Sequence, residues 1–151
     1  MKKLSLIILF TLLSPLALFA TTPYNLEGIK ALNVLVLDEN GAISKQLEER
    51  LSKALKIKLE ANGVMSQKDG VGALFVKVRS IKVGEYHVIH LTLGVGEEAE
   101  VVRTSKIKSF VLTYSYDDMI ETQNPDVDVF ESVMEYLIEE FLEQYHEDNE
   151  A

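Results

Sequence analysis

Three groups of residues in this 151-residue chain have types and spacing that could do chemistry. Gly94-Val95-Gly96-Glu97-Glu98-Ala99 fits the G-x-G-x-x-A spacing that holds a dinucleotide pyrophosphate. That chemistry needs a helix amino terminus directly behind the glycines, because its unpaired N–H groups and dipole bind the phosphates. Here a second strand-like run follows, and Glu97 and Glu98 stand where the phosphates belong. The segment reads as a glycine-rich hairpin turn. His87 and His90 suggest half of a metal site, but residues three apart on a strand point to opposite faces. With His146 far off near the carboxyl end, the three or four convergent ligands of a zinc site are not assembled. Asp117, Asp118, Glu121, Asp126 and Asp128 make an acidic stretch whose oxygens suit calcium. The alternating ligands and central glycine of an EF-hand loop are missing from it, and from Asp38-Glu39-Asn40-Gly41 as well. No serine sits in a nucleophile elbow, and no histidine–carboxylate spacing suggests a triad. The residues therefore predict no catalytic group, no metal and no cofactor.

The elements that carry these residues are organised around a hairpin. Ala73–Val83 and Tyr86–Val95 are strand-like runs joined by Gly84-Glu85, a pair suited to a two-residue type II′ turn. That loop fixes the register. Leu74 faces Val95, Val76 faces Leu93 and Val78 faces Leu91, while Lys77 faces Thr92 and Arg79 faces His90 on the opposite side. A slip of one residue would scatter both sets.

Upstream, Ile29–Leu37 is apolar at both parities and reads as a strand buried on both faces. Ile43, Leu47, Leu51, Ala54, Leu55 and Leu59 form a helical stripe, in which Lys58 is an intruder expected to snorkel to water. Asn62-Gly63 ends that helix, with Gly63 in the left-handed position and Val64 folding back. A polar loop, Ser66–Gly72, leads to the hairpin. Beyond it, Gly96-Glu97-Glu98 is read as a turn before Ala99–Arg103, and Thr104–Lys108 has no clean period. Phe110–Tyr116 alternates, with Phe110, Leu112, Tyr114 and Tyr116 on one side. Asp117–Gln123 is read as loop. Asn124-Pro125 opens a second helix, with asparagine as N-cap and proline in the first turn. Its apolar face runs through Phe130, Val133, Met134, Leu137, Ile138, Phe141, Leu142 and Tyr145, and His146–Ala151 reads as a frayed tail. The order β-α-β-β-β-α predicts an α+β fold, a four-stranded mixed sheet with both helices on one face.

Charge and the amino terminus narrow the class. Met1-Lys2-Lys3, the apolar run Leu4–Phe19 and Ala20 before Thr21-Thr22-Pro23 have the layout of a signal peptide cut after Ala20. Leu18 is unusual three residues before the cut, and an uncleaved anchor is the alternative, although the run is short for a span. The reading is one domain over residues 21–146 with a tail over 147–151, exported to the periplasm or secreted. The chain contains no cysteine, which removes both a disulfide framework and a lipid-carrying residue after the signal. Without Lys2 and Lys3 there are 13 Lys+Arg against 24 Asp+Glu, a net charge of −11. So acidic a domain repels nucleic acid and anionic lipid.

In its element order and its export signal the chain resembles small envelope-assembly modules. Examples are the lipopolysaccharide-assembly lipoprotein that plugs an outer-membrane barrel, and the amino-terminal domain of TolB. The resemblance implies a non-enzymatic adaptor that binds another envelope protein. The residues offer one patch for this. At the hairpin tip Ile81 faces Val88 and Val83 faces Tyr86, on the side of Lys77 and Arg79 and opposite the aliphatic face. Either a twist or bulge returns these side chains to the core, or they form an apolar interaction patch flanked by Lys77, Arg79 and Lys82. The alternative function is binding of a small ligand or divalent cation, at Asp117–Asp128 or between helices and sheet.

Overall fold

A computed structural model describes residues 26–67, 72–102 and 106–149. The expected signal peptide and its cleavage site lie outside the described residues. The elements are β1 (Ala31–Asp38), α1 (Lys45–Ala61), β2 (Met65–Ser66), β3 (Gly72–Val83), β4 (Tyr86–Glu100) and β5 (Lys108–Thr122). A last helical stretch comprises α2 (Pro125–Glu131), a π-helical turn (Ser132–Leu137) and α3 (Ile138–Asn149). No helix among the described residues is long and apolar enough to cross a membrane.

The fold is α+β with a mixed sheet, but the sheet has five strands in the order β2-β1-β3-β4-β5 rather than the expected four. The added strand comes from the Schellman cap of α1. Gly63 takes φ +83°, Gly63 N donates to Glu60 O and Val64 N donates to Leu59 O. Val64 is thereby buried, and the chain leaves alongside β1, where Met65 N donates to Lys30 O at 2.9 Å.

The hairpin register is the one read from the sequence, pair for pair from Leu74↔Val95 to Val83↔Tyr86. Gly84 takes φ +64° while Glu85 keeps a negative φ, as a type II′ turn requires. The inward residues of β1, β3 and β4 join Leu47, Leu51, Leu55 and Leu59 of α1 and Val129, Val133, Leu137, Ile138 and Phe141 in a single core. The π turn lies within this packed stretch. Val133 and Leu137, on this turn, are both fully buried. Lys58 does not reach for water alone; its ammonium group pairs with Glu139 of α3 and ties the two helices together.

Several expectations are corrected here. β1 is buried on one face only: Leu32 and Val34 are in the core, whereas Leu35 and Leu37 are exposed because no element covers the other side of the sheet. β4 does not turn at Gly96 but continues to Glu100, and β5 continues through Asp117–Thr122, read before as loop. A β-bulge lets Val95 pair with Tyr114 and Gly96 with Leu112, leaving Thr113 as the extra residue of β5. The bulge flips the strand's parity. Tyr114 and Tyr116 face the helices, while Leu112 and Phe110 lie on the uncovered face with Gly96. Residues 146–149 are the last turn of α3, not a frayed tail. Finally, Asn124 makes no side-chain cap; its own N–H donates to Thr122 Oγ1 at 2.7 Å, and that hydroxyl donates to Asp128.

Candidate functional site

The uncovered face of the sheet has an apolar zone at each end and a polar band between them. At the hairpin tip, Ile81 (65% exposed), Val83 (58%) and Tyr86 (44%) stand outward, with Val88 half-buried beside them. These residues do not return to the core. The β3–β4 ladder runs without a bulge to Val83↔Tyr86, so nothing reverses their parity. The helices cover only the opposite face, and the tip projects past them. Met119 of β5, paired with His90, adds a further exposed apolar side chain at this end.

The polar band crosses three strands and the turn that follows β1. Arg79 clamps Glu39, with Nε and Nη2 both 2.6 Å from Oε2, and Lys77 Nζ lies 3.7 Å from Oε1. The positive charges expected to flank the patch are therefore largely spent on a carboxylate of the same chain, and Lys82 carries no ion pair among the described residues. Next to them Thr92 Oγ1 donates to Asp117 Oδ1 at 2.6 Å, and His90 Nε2 lies 3.2 Å from the same oxygen. This His–Asp contact was invisible in the sequence spacing. It arises because β5 continues through Asp117, which puts Asp117 opposite Thr92 and diagonal to His90. The group is a surface ladder on a flat face, with Asp117 over half exposed (54%). Such ladders hold neighbouring strands in register.

The hydrogen bond and charge of Arg79, helped by Lys77, hold the Glu39 carboxyl below the ordinary glutamate value of 4.5. A carboxyl lowered on folding stabilises the native state above its unfolded pKa and loses that contribution as pH falls through its folded pKa. In Arg79→Gln the Glu39 titration midpoint, read by carbon-13 NMR of the side-chain carboxyl, is expected to rise toward 4.5. A midpoint that stays where it is would mean that the clamp does not form in solution.

The apolar zone at the other end was missed in the sequence. Leu35 and Leu37 of β1, Phe75 of β3, and Phe110 and Leu112 of β5 share the uncovered face, most of them exposed. Gly94 and Gly96 lie among them as strand residues. A Cβ on Gly94 would come within 2.5 Å of the Phe75 ring, and one on Gly96 within 2.1 Å of the Phe110 ring. The aromatic rings lie where the glycines have no side chain, an arrangement that supplies packing a bare glycine cannot. The signal was present. The hairpin register already placed Phe75 opposite Gly94, but reading the glycines as a turn hid it.

The acidic stretch is dispersed. Asp117 faces the open side, whereas Asp118 faces the helices and accepts from Ser132 Oγ at 2.7 Å. Asp126 accepts from Ser44 N at 3.0 Å at the start of α1, and Asp128 from Thr122. No group of three or more metal-ligating side chains is assembled among the described residues. The three histidines are also apart: His87 lies beside Ser80, His90 beside Asp117, and His146 beside Asn62 at 3.1 Å. On the helix side, the hydrogen bond between the Tyr116 and Tyr136 hydroxyls (3.1 Å) heads the causes that push the Tyr116 pKa up to about 12. No protein-family model matches the chain, and no curated protein matches it.

Proposed function

We propose that the protein is an exported, non-enzymatic adaptor that binds another envelope protein through the uncovered face of its sheet at the hairpin tip. The observation that supports this is the outward set Ile81, Val83 and Tyr86, with Val88 beside it, on a face that no helix covers. Side chains of this size cost free energy in water, and a contiguous patch of them gains from burial against a partner, at about 25 cal/mol per Å² removed from water. Alternation along β3 turns Lys82 to the other face of the sheet, so the patch selects a partner by its apolar contact surface rather than by charge. The rest of the chain is strongly acidic and repels acidic surfaces.

Photocrosslinking tests the reading. A benzoylphenylalanine placed at Tyr86 is expected to yield one adduct in intact cells, and the same probe at Glu147, on the far side of α3, is expected to yield none. Ile81→Asp/Val83→Asp, both at exposed positions, should abolish the adduct without lowering the melting temperature by more than a few degrees. Equal adducts from both probes, or an adduct that survives the double substitution, would sink the proposal.

A further inference from the structure

The sheet has a second feature that the tip does not use, the free edge of β1. Backbone groups of a strand point alternately to its two neighbours. Lys30 O and Leu32 O accept from Met65 N and Gln67 N on the β2 side, at 2.9 and 3.3 Å, whereas Glu39 N donates to Val78 O of β3 at 3.0 Å. Even-numbered residues of β1 therefore point away from β3. β2 pairs only with Ala31 and Leu32, so past that point the N–H and C=O groups of Val34 and Val36 have no strand partner among the described residues. Natural sheets cover or blunt such edges, because an unpaired ladder is a template for another strand.

This edge is neither blunted nor open to bulk water on both sides. A groove of about 470 Å³ runs along it, with Val34–Val36 as one wall and α1 as the other. Because α1 returns the chain from the end of β1 to the start of β2, it runs antiparallel to β1. Glu48 and Glu49 thus flank the Val36 end of the groove, and Lys53 and Lys56 flank the Val34 end. None of these four charges has an ion pair among the described residues. At the lysine end β2 closes the groove, since Ser66 occupies the position beside Leu32.

We propose that this groove takes the extended carboxyl-terminal segment of another protein as an added strand antiparallel to β1. Three observations fix the occupant. The groups of Val34 and Val36, unpaired among the described residues, require an extended backbone. The plug formed by β2 requires a chain that ends there. The charges select the direction, because an antiparallel strand brings its terminal carboxylate to Lys53 and Lys56 and its preceding residues past Glu48 and Glu49. A parallel strand would start at the plug with its ammonium group against two lysines. The segment is short, since the free edge covers only Asn33–Asp38, and basic residues at its amino-terminal side complement the two glutamates. Strand addition supplies affinity through main-chain hydrogen bonds and selectivity through the end groups. This site lies on the sheet edge and is independent of the hairpin tip, so either can fail without the other.

The probe is a fluorescein-labelled peptide of two lysines followed by three Thr-Val repeats and a free carboxyl end, titrated into the purified protein. Saturable binding is expected, with amide shifts in nitrogen-15 NMR centred on Val34 and Val36. Amidating the peptide's carboxyl end should weaken binding about tenfold, the scale of one lost charge-assisted contact. Methylating its backbone nitrogens should abolish binding at alternate residues only. Lys53→Glu/Lys56→Glu, on the outer flank of α1, should remove the preference for the free acid. The proposal is overturned by absence of binding at millimolar peptide, or by equal affinity for acid and amide. Shifts centred on β5 or on the hairpin tip would overturn it too.

Discussion

Phe141→Ala is expected to destabilise the protein by about 3–5 kcal/mol, read as a fall in the urea midpoint with an unchanged slope. Phe141 is fully buried, with its ring edge-on to Tyr114 at 5.5 Å and stacked near Tyr145 at 6.2 Å. The cavity it leaves could shrink only if these neighbours moved inward. Tyr114 is fixed by its pairing with Val95 in the β4–β5 ladder, and Tyr145 is tethered by its hydroxyl, which donates to Ile29 O at 3.1 Å. The site cannot collapse freely, which places the cost in the upper range for such truncations. Since domains of this size are stable by only about 5–15 kcal/mol, a large share of the total depends on this one ring. A loss below 1 kcal/mol would show that α3 repacks and that the aromatic contacts are not formed as described.

The second large effect concerns the carboxyl end. Asp148→Ala/Asn149→Ala is expected to cost about 2–3 kcal/mol, because it strips hydrogen bonds from a segment that is buried at Leu26. Leu26 N donates to Asp148 Oδ2 at 2.8 Å, Gly28 N donates to Asn149 Oδ1 at 2.9 Å, and Asn149 Nδ2 donates to Leu26 O at 3.0 Å. Leu26 itself is fully buried, so its backbone groups cannot readily turn to water once these partners are gone. Hydrogen exchange is the direct check. The amides of Leu26 and Gly28 should lose protection in the double variant, while those of β3 and β4 keep theirs. If all four segments exchange as before, the carboxyl end does not hold the entry to β1.

Both expected losses fall on the core that lies behind the uncovered face of the sheet. Both helices press on one side of the sheet, so the β1 edge and the strands leading to the hairpin tip rest on one core. An interaction surface on a strand is only as well placed as the core beneath it.

The sequence alone determined the features whose physics is local. The Gly84-Glu85 loop length and the matched aliphatic parity set the hairpin register, since any slip would expose the core face. Gly63 set the end of α1, because the left-handed backbone there excludes most side chains. The α+β class followed from the change in hydrophobic period between segments. Tertiary structure decided everything that depends on which neighbour is absent. Apolar parity on β1 could not say that Leu35 and Leu37 face solvent, because a strand buried on both faces and one with a single uncovered face read alike. The alternation of Phe110–Tyr116 seemed continuous, yet one bulged residue at Thr113 divides it between two faces. Asp117 and Asp118 look like loop by composition, and only pairing with β4 makes them strand. The hydrogen bonds between Asp148 or Asn149 and Leu26 join residues over 120 positions apart (122 and 123), a contact no periodicity encodes. The candidate patch stands between these cases. Its residues and mutual register were legible, but whether Ile81 and Val83 face the core or water depends on whether a bulge reverses the strand's parity, and the chain does not state that locally.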